Sequence, residues 1–380
     1  MKFREGLAVF LLAALSAALV LMPSPRGIAH DGEMSCRARV VSVDDSQLQV
    51  TGLIEYGTQI LSVELLSGPG KGWTFRAENE LRAQLDIDKK FRPGDTALVT
   101  WPGGEVKDGA TLVARDHYRL GWGIALFVAF AGLLVVFGGW TGAKALFSFV
   151  FSCIAVWKIL VPLCLCGWNA AWTSFATVTV LTMVIVYLVA GATRRGLVAF
   201  TGSMLGIATS LALADLIALA MHVTGATMPY AQALLYSGYP NLDLADLFCG
   251  AVILASSGAA MDLAMDIATG MEEVRLHNPT LGRRELLASG LRMGRAVVGT
   301  MTTTLLLAYS GGYLTLLMVF AAQGTPPLDF LNSTLVSAEI VKTLVGSFGL
   351  VLVAPFTAFV GSLLGRTGIA AQPRGSGLLV

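Results

Sequence analysis

The sequence predicts a mixed fold: a polytopic α-helical membrane bundle of about eight spans carrying a small external β-barrel-like domain, OB-like or SH3-like. Three observations lead there. Of 380 residues, 55% are hydrophobic and only 13% charged, about half the ~25% usual for soluble domains, and the mean hydropathy is +0.69. The apolar residues gather in runs close to the ~20 that a helix needs to cross the hydrocarbon core. Lysine and arginine keep to alternate loops. This composition excludes disordered, collagen-like and disulfide-stapled chains. A formal net charge of +1 argues against a nucleic-acid binder.

The apolar runs are 6–22, 121–139, 145–163, 172–191, 197–221, 244–269, 296–322 and 340–364. Cations fall at Lys2, Arg4, Lys144, Arg194, Arg195, Arg275, Arg283, Arg284, Arg292, Arg295, Arg366 and Arg374, whereas the loops 164–171, 222–243 and 323–336 hold no Lys or Arg. By the positive-inside rule both termini are cytoplasmic and residues 25–119 lie outside. The expected organisation is an N-terminal anchor over 1–24, an extracytoplasmic β domain over 25–119, a seven-helix membrane domain over 120–366 and a cytoplasmic tail over 367–380. Lys2 and Arg4 before Leu7–Met22 also fit a secretory signal. Pro23–His30 offers no clean small-x-small cleavage site, which favours a retained anchor.

Residues 34–118 differ in kind, with basic and acidic residues in similar number. Period-2 runs at Arg37–Val43 and Ile60–Leu66 read as strands. The turn Gly68-Pro-Gly-Lys-Gly72 leads to a strand from Trp73, and Arg92-Pro-Gly-Asp95 leads to Thr96–Trp101. Five or so short strands in this length predict a small antiparallel barrel, either a binding groove or a plain docking module. No metal-ligand spacing and no nucleophile–base pair appears in it. Cys36, Cys164 and Cys166 fall on the oxidising side, so a Cys36–Cys164 or Cys36–Cys166 bridge is open. Five cysteines cannot all pair, and free packed thiols are the favoured reading.

Ionisable residues inside spans are Lys158, Asp215, Asp246, Asp262, Asp266, Glu339 and Lys342. Each costs roughly 2.5–3.5 kcal/mol at a helix centre, so each should face protein, a partner or water. Asp262 and Asp266 are four apart and share a helix face, where like charges repel. Such a pair suits a shared proton or a bound cation; the alternative is structural pairing with Arg292 or Arg295. Glu339 and Lys342, three apart, read as an internal ion pair or as a gate at the outer entrance. Near them the spans carry breakers: Thr300, Thr302, Thr303 and Thr304 before Ser310-Gly311-Gly312; Gly346 and Gly349 before Pro355; and Ser256-Ser257-Gly258 before Asp262. Small residues permit close helix packing, and Gly299/Thr303 has that spacing. Alternatively, interrupted helices line a wet cavity, as in secondary transporters.

Several segments resemble the YibE/F family of bacterial membrane proteins. They are Gly258-Ala-Ala-Met-Asp-Leu-Ala-Met-Asp-Ile-Ala268, Glu272-Glu273-Val274, Asn278-Pro279, Glu285–Gly290, Gly294-Arg295, Gly299–Tyr309 and Gly346–Leu350. Ala38–Val40, Val43–Asp45, Leu66–Pro69 with Gly72, and Pro93–Asp95 are similar to that family's external part. The resemblance implies a multi-pass inner-membrane protein described as a permease, and it names no substrate. Ala296, Thr303 and Lys342 depart from the pattern, which carries an acidic residue, Asn and Arg there.

The expected function is therefore a permease or secondary transporter of a small solute or ion. Asp262 and Asp266 would bind a proton or cation, with Thr300, Thr303 and Thr304 nearby and Asp215, Glu339 and Lys342 along the pathway. The alternative is an envelope scaffold that docks a protein partner through 34–118. An enzyme is disfavoured: there is no P-loop, no Gly-x-Ser-x-Gly and no His-Glu-x-x-His. Both aspartates sit on one helix, whereas an intramembrane aspartyl protease needs them on facing helices. No cofactor and no nucleic-acid partner is expected, only the lipid bilayer.

Overall fold

A computed structural model of the chain describes residues 33–68, 70–103 and 109–364, together with Ser16, Ala18, Leu19 and Leu21. Gly27–Leu134 forms one compact unit, which runs past the expected boundary at 119, and the residues from Val135 onward form the body of the other.

The first unit contains six strands: β1 (Glu33–Asp44), β2 (Leu48–Thr51), β3 (Ile54–Leu65), β4 (Thr74–Arg82), β5 (Thr96–Pro102) and β6 (Thr111–His117). They lie in the order β1-β5-β6-β4-β3-β2, and β1 also pairs with β3. That extra pairing closes a five-stranded ring and leaves β2 as a flap on β3. β4 and β6 pair in parallel; the other pairs are antiparallel. A closed five-stranded barrel with crossed connections is the OB-type of the two expected architectures, and closure leaves the ring no free edge. The alternation seen in sequence becomes the core: Ala38 and Val40, Leu61, Val63 and Leu65, Phe75 and Ala77, and Ala97 and Val99 all point inward.

Two inward positions are polar. Gln59 and Asn79 face each other across β3–β4 and are 0% and 1% exposed. Gln59 donates to Asp45 Oδ1 (2.8 Å) and to the Phe91 carbonyl (3.0 Å) and accepts from the Phe91 amide (3.0 Å). Asn79 donates to Gln59 (3.1 Å) and to the Lys89 carbonyl (2.6 Å). These bonds pin the segment before β5 to the barrel and seat Phe91, which is 1% exposed, in the core.

The helices, which from Val135 onward make up the helical unit, are α1 (Leu120–Ala155), a π-helical stretch (Val156–Leu160), α2 (Val161–Leu165), α3 (Ala170–Ala190), α4 (Arg194–Ala220), α5 (Ala231–Tyr236), α6 (Leu244–His277), α7 (Arg283–Gly312), α8 (Leu314–Ala322), α9 (Pro327–Asn332) and α10 (Thr334–Leu364). Side chains cap several starts. Asn169 accepts from the Trp172 amide (3.0 Å), Thr193 from Gly196 (3.3 Å), and Asp243 from Ala245 (2.8 Å), each satisfying an orphan N–H.

Among the described residues, five helical stretches are long and apolar enough to cross a membrane: Leu120–Leu165, Ala170–Ala190, Arg194–Ala220, Leu244–His277 and Thr334–Leu364. A sixth is added if α7 and α8, bent by 63°, count as one span. These helices mark a membrane protein. The count of about eight is not reached, for two reasons. The first expected span, 6–22, lies outside the described residues apart from Ser16, Ala18, Leu19 and Leu21, of which Leu19 is buried beside Phe151, Ala155 and Leu181. The spans expected at 121–139 and 145–163 fall in the stretch Leu120–Leu165, which counts once by length and hydropathy, although Gly139, at φ 54° and ψ −131°, is non-helical and divides it into two helices at a kink between the two expected runs. The break expected at Ser310–Gly312 is present, at Tyr313 between α7 and α8.

α6 packs among α3, α4, α7 and α10, and α4 meets α10 at a seam of small residues. A Cβ on Gly202 would stand 2.1 Å from Thr357 Oγ1, and one on Gly349 1.7 Å from Ser210 Oγ. Gly299, expected from its spacing with Thr303 to suit close approach of another helix, has nothing within 4 Å of a Cβ placed on it. All five cysteines are free, so no bridge from Cys36 to Cys164 or Cys166 forms. Cys36, Cys164 and Cys249 are buried, but Cys153 and Cys166 are exposed, which corrects the expectation of uniformly packed thiols.

Candidate functional site

α6 runs 34 residues without interruption, so Asp262 and Asp266 stand one turn apart on one flank. Their neighbours Leu263, Ala264, Ile267 and Ala268 turn into the core. Both aspartates are exposed and line an open groove of about 330 Å³. Its walls are Ile185, Val186 and Val189 of α3, Met261 and Met265 of α6, and Met301 of α7. Among the described residues no cation pairs with either carboxylate, Arg292 and Arg295 included. Two acceptor-only groups thus face each other's charge between apolar and thioether walls. The arrangement can hold a shared proton or a cation.

The other expected members of the site are not brought to this groove. Each threonine hydroxyl of α7 is spent on its own helix: Thr300 on the Val297 carbonyl (2.9 Å), Thr303 on Gly299 (3.0 Å) and Thr304 on Thr300 (2.9 Å). Met301, which sequence reasoning passed over, supplies the α7 wall instead. Asp215 interacts with Asp246 and Cys249, and Asn169 donates to the Asp246 carboxylate. Asp246 and Asp262 are separated by about 24 Å along α6 at 1.5 Å per residue.

Glu339 and Lys342 form the internal ion pair, 2.7 Å apart with side chains 26% and 29% exposed. The Lys342 ammonium also lies 5.8 Å from the Tyr309 ring centre, within cation–π range. Among the described residues, the Tyr309 hydroxyl and Thr343 Oγ1 beside this pair are buried without a hydrogen-bond partner.

In the strand domain, burial raises the Cys36 thiol above its ordinary range, which disfavours the reactive thiolate. The hydrogen bond to Glu55, with Asp45 adjoining, raises Lys90. Among the described residues no group of three His, Cys, Asp or Glu side chains is placed to hold a metal ion.

The family model described as YibE/F-like protein matches residues 126–367, which takes in the aspartate groove and leaves out the barrel. No curated protein and no solved structure gives a significant match.

Proposed function

This chain belongs to the YibE/F-like family, and from that premise we propose that it is a permease, a secondary transporter of the bacterial inner membrane with both termini cytoplasmic. In this reading Asp262 and Asp266 take up a proton or a cation, and the chain moves a solute rather than catalysing a reaction. The observation that carries the reading is the groove between α3, α6 and α7, where two carboxylates one turn apart lack a cation partner among the described residues. A single carboxylate at a helix centre in hydrocarbon costs roughly 2.5–3.5 kcal/mol, and a second one four residues away adds repulsion. A structural role would be met by an arginine in the seam. An exchangeable charge needs the opposite, an open acceptor site that a proton or cation fills and leaves. The absence of Lys and Arg from 164–171, 222–243 and 323–336 supports the orientation.

The test is flux. Reconstituted in liposomes with an entrapped pH dye and a Na⁺ or K⁺ gradient, the chain should carry a proton- or cation-linked flux. The Asp262→Asn/Asp266→Asn variant should lose at least about tenfold of it, equivalent to ~1.4 kcal/mol on the barrier. A folded double variant with wild-type flux would overturn the reading.

A second reading, a scaffold docking an envelope protein, is favoured by the flap of the barrel. Val50, Leu53 and Ile54, at and beside the β2–β3 turn, are 68%, 92% and 37% exposed and form an apolar tip.

A further inference from the structure

A second cavity lies at the arginine-rich end of the helical unit and takes no part in the aspartate reading. Its volume is about 120 Å³. Arg194 and Arg195 reach it from the first turn of α4, and Glu272 and Arg275 from the end of α6; apolar side chains, Met271 and Leu286 among them, complete the lining. Three arginines and one glutamate therefore line it. That carboxylate does not neutralise its nearest cation well. Glu272 Oε2 is 3.6 Å from Arg195 Nε, on a side chain that is 36% exposed; the distance is beyond hydrogen-bond range, and the Nε atom itself is buried with no hydrogen-bond partner among the described residues. A buried donor left open is uncommon enough to require an occupant or an explanation. Arg194 and Arg275 form no ion pair and no side-chain hydrogen bond among the described residues.

The backbone adds to the same demand. α4 begins at the cavity, and the Thr193 side chain caps only the Gly196 amide (3.3 Å). The N–H groups of the first turn and the positive end of the helix dipole remain for an anion. Arginine, with its planar fork of donors, matches oxyanions that offer several acceptor oxygens.

We propose that this cavity binds a phosphate group. A phosphate offers several acceptor oxygens to the orphaned Nε, the two unpaired guanidiniums and the α4 N-terminus, and its negative charge balances the surplus of three arginines over one glutamate. The same chemistry is carried by the headgroup of an anionic phospholipid and by free phosphate. Basic pockets between membrane helices are known recognition sites for such headgroups, and the apolar lining suits a group attached to acyl chains.

The experiment measures the thermal midpoint of the purified full-length chain in two arms. In one, nanodiscs of phosphatidylcholine alone are compared with nanodiscs containing phosphatidylglycerol. In the other, inorganic phosphate is titrated into the phosphatidylcholine sample. A midpoint rise in the first arm only assigns the site to lipid; a rise with inorganic phosphate assigns it to a free anion. In either case Arg195→Gln/Arg275→Gln should abolish the rise. If that double variant does not fold, exposed Arg194→Gln replaces it and should weaken half-saturation by about tenfold or more, the loss of one charge-assisted hydrogen bond. No rise in either arm, or a rise that the folded variants keep, overturns the proposal.

Discussion

In the barrel the large side chains turn inward. Leu61, Leu65, Leu112 and Phe91 are at most 1% exposed, and polar residues alternate with them on the outside. In the helical unit the closest seams belong to glycine and serine. Large side chains of the helices stand outward as well as inward: Phe137 is 92% exposed, Leu219 77% and Leu133 70%, while Ile253 and Leu263 are fully buried. The difference follows from the surroundings each unit is built for. Water drives apolar side chains together. Lipid offers them no such drive, so helices associate by close backbone approach and by polar contacts. One chain thus uses removal of apolar surface in one unit and removal of side-chain bulk in the other.

The largest expected effect tests the outward apolar face. Leu133→Asp places a charge on a lipid-facing helix and should cost roughly 3–4 kcal/mol of insertion, seen as chain released from membranes by alkaline extraction. Leu53→Asp, at an even more exposed leucine of the barrel flap, should change barrel stability by no more than about 0.5 kcal/mol. Equal responses at the two sites would erase the contrast.

A smaller effect tests the seam. Gly202→Val drives a side chain into Thr357 and should cost about 1–3 kcal/mol or more, read as faster hydrogen exchange in α4 and α10. Gly299→Val, with open space around it, should leave exchange unchanged. If both accelerate exchange alike, close approach is not what holds the seam.

The smallest effect concerns the barrel alone. The Ser46 amide donates to Asp44 Oδ1 (2.9 Å) and holds that carboxyl below its ordinary value. A group depressed in the folded state stabilises it above the unfolded pKa, near pH 4 for Asp, and loses this as the pH falls through the folded value. Asp44→Asn should therefore flatten the loss of barrel protection below about pH 4, measured by hydrogen exchange corrected for its intrinsic pH dependence. An unchanged acid profile would show that the bond contributes nothing.

The barrel was readable because alternation and Gly/Pro turns encode strands locally. Its amide network was also within reach: Gln59 precedes Leu61, Val63 and Leu65 in step of two, and Asn79 follows Phe75 and Ala77, so both occupy inward positions. The pairing of Asp262 with Asp266 was readable from their spacing alone. The remaining walls of the groove were not, because Val186 and Met301 come from distant parts of the chain. The threonine run misled because a hydroxyl in a helix can satisfy itself on the carbonyl one turn back. In the sequence the arginines of the second cavity read as markers of orientation. Only the fold shows that three of them converge. The division between 121–139 and 145–163 was legible at Gly139, where the backbone leaves the helical region, but the kink there is not the loop that the expected spans require.

The grip of Gln59 and Asn79 on the segment before β5 is made on the main chain, at the amide and carbonyl of Phe91 and the carbonyl of Lys89. A clasp of that kind is indifferent to which side chains the clasped strip carries. Lys89 and Arg92 are thus at liberty to be exchanged without unlatching it, so this rim of the barrel can acquire new surface chemistry while its shape stays put.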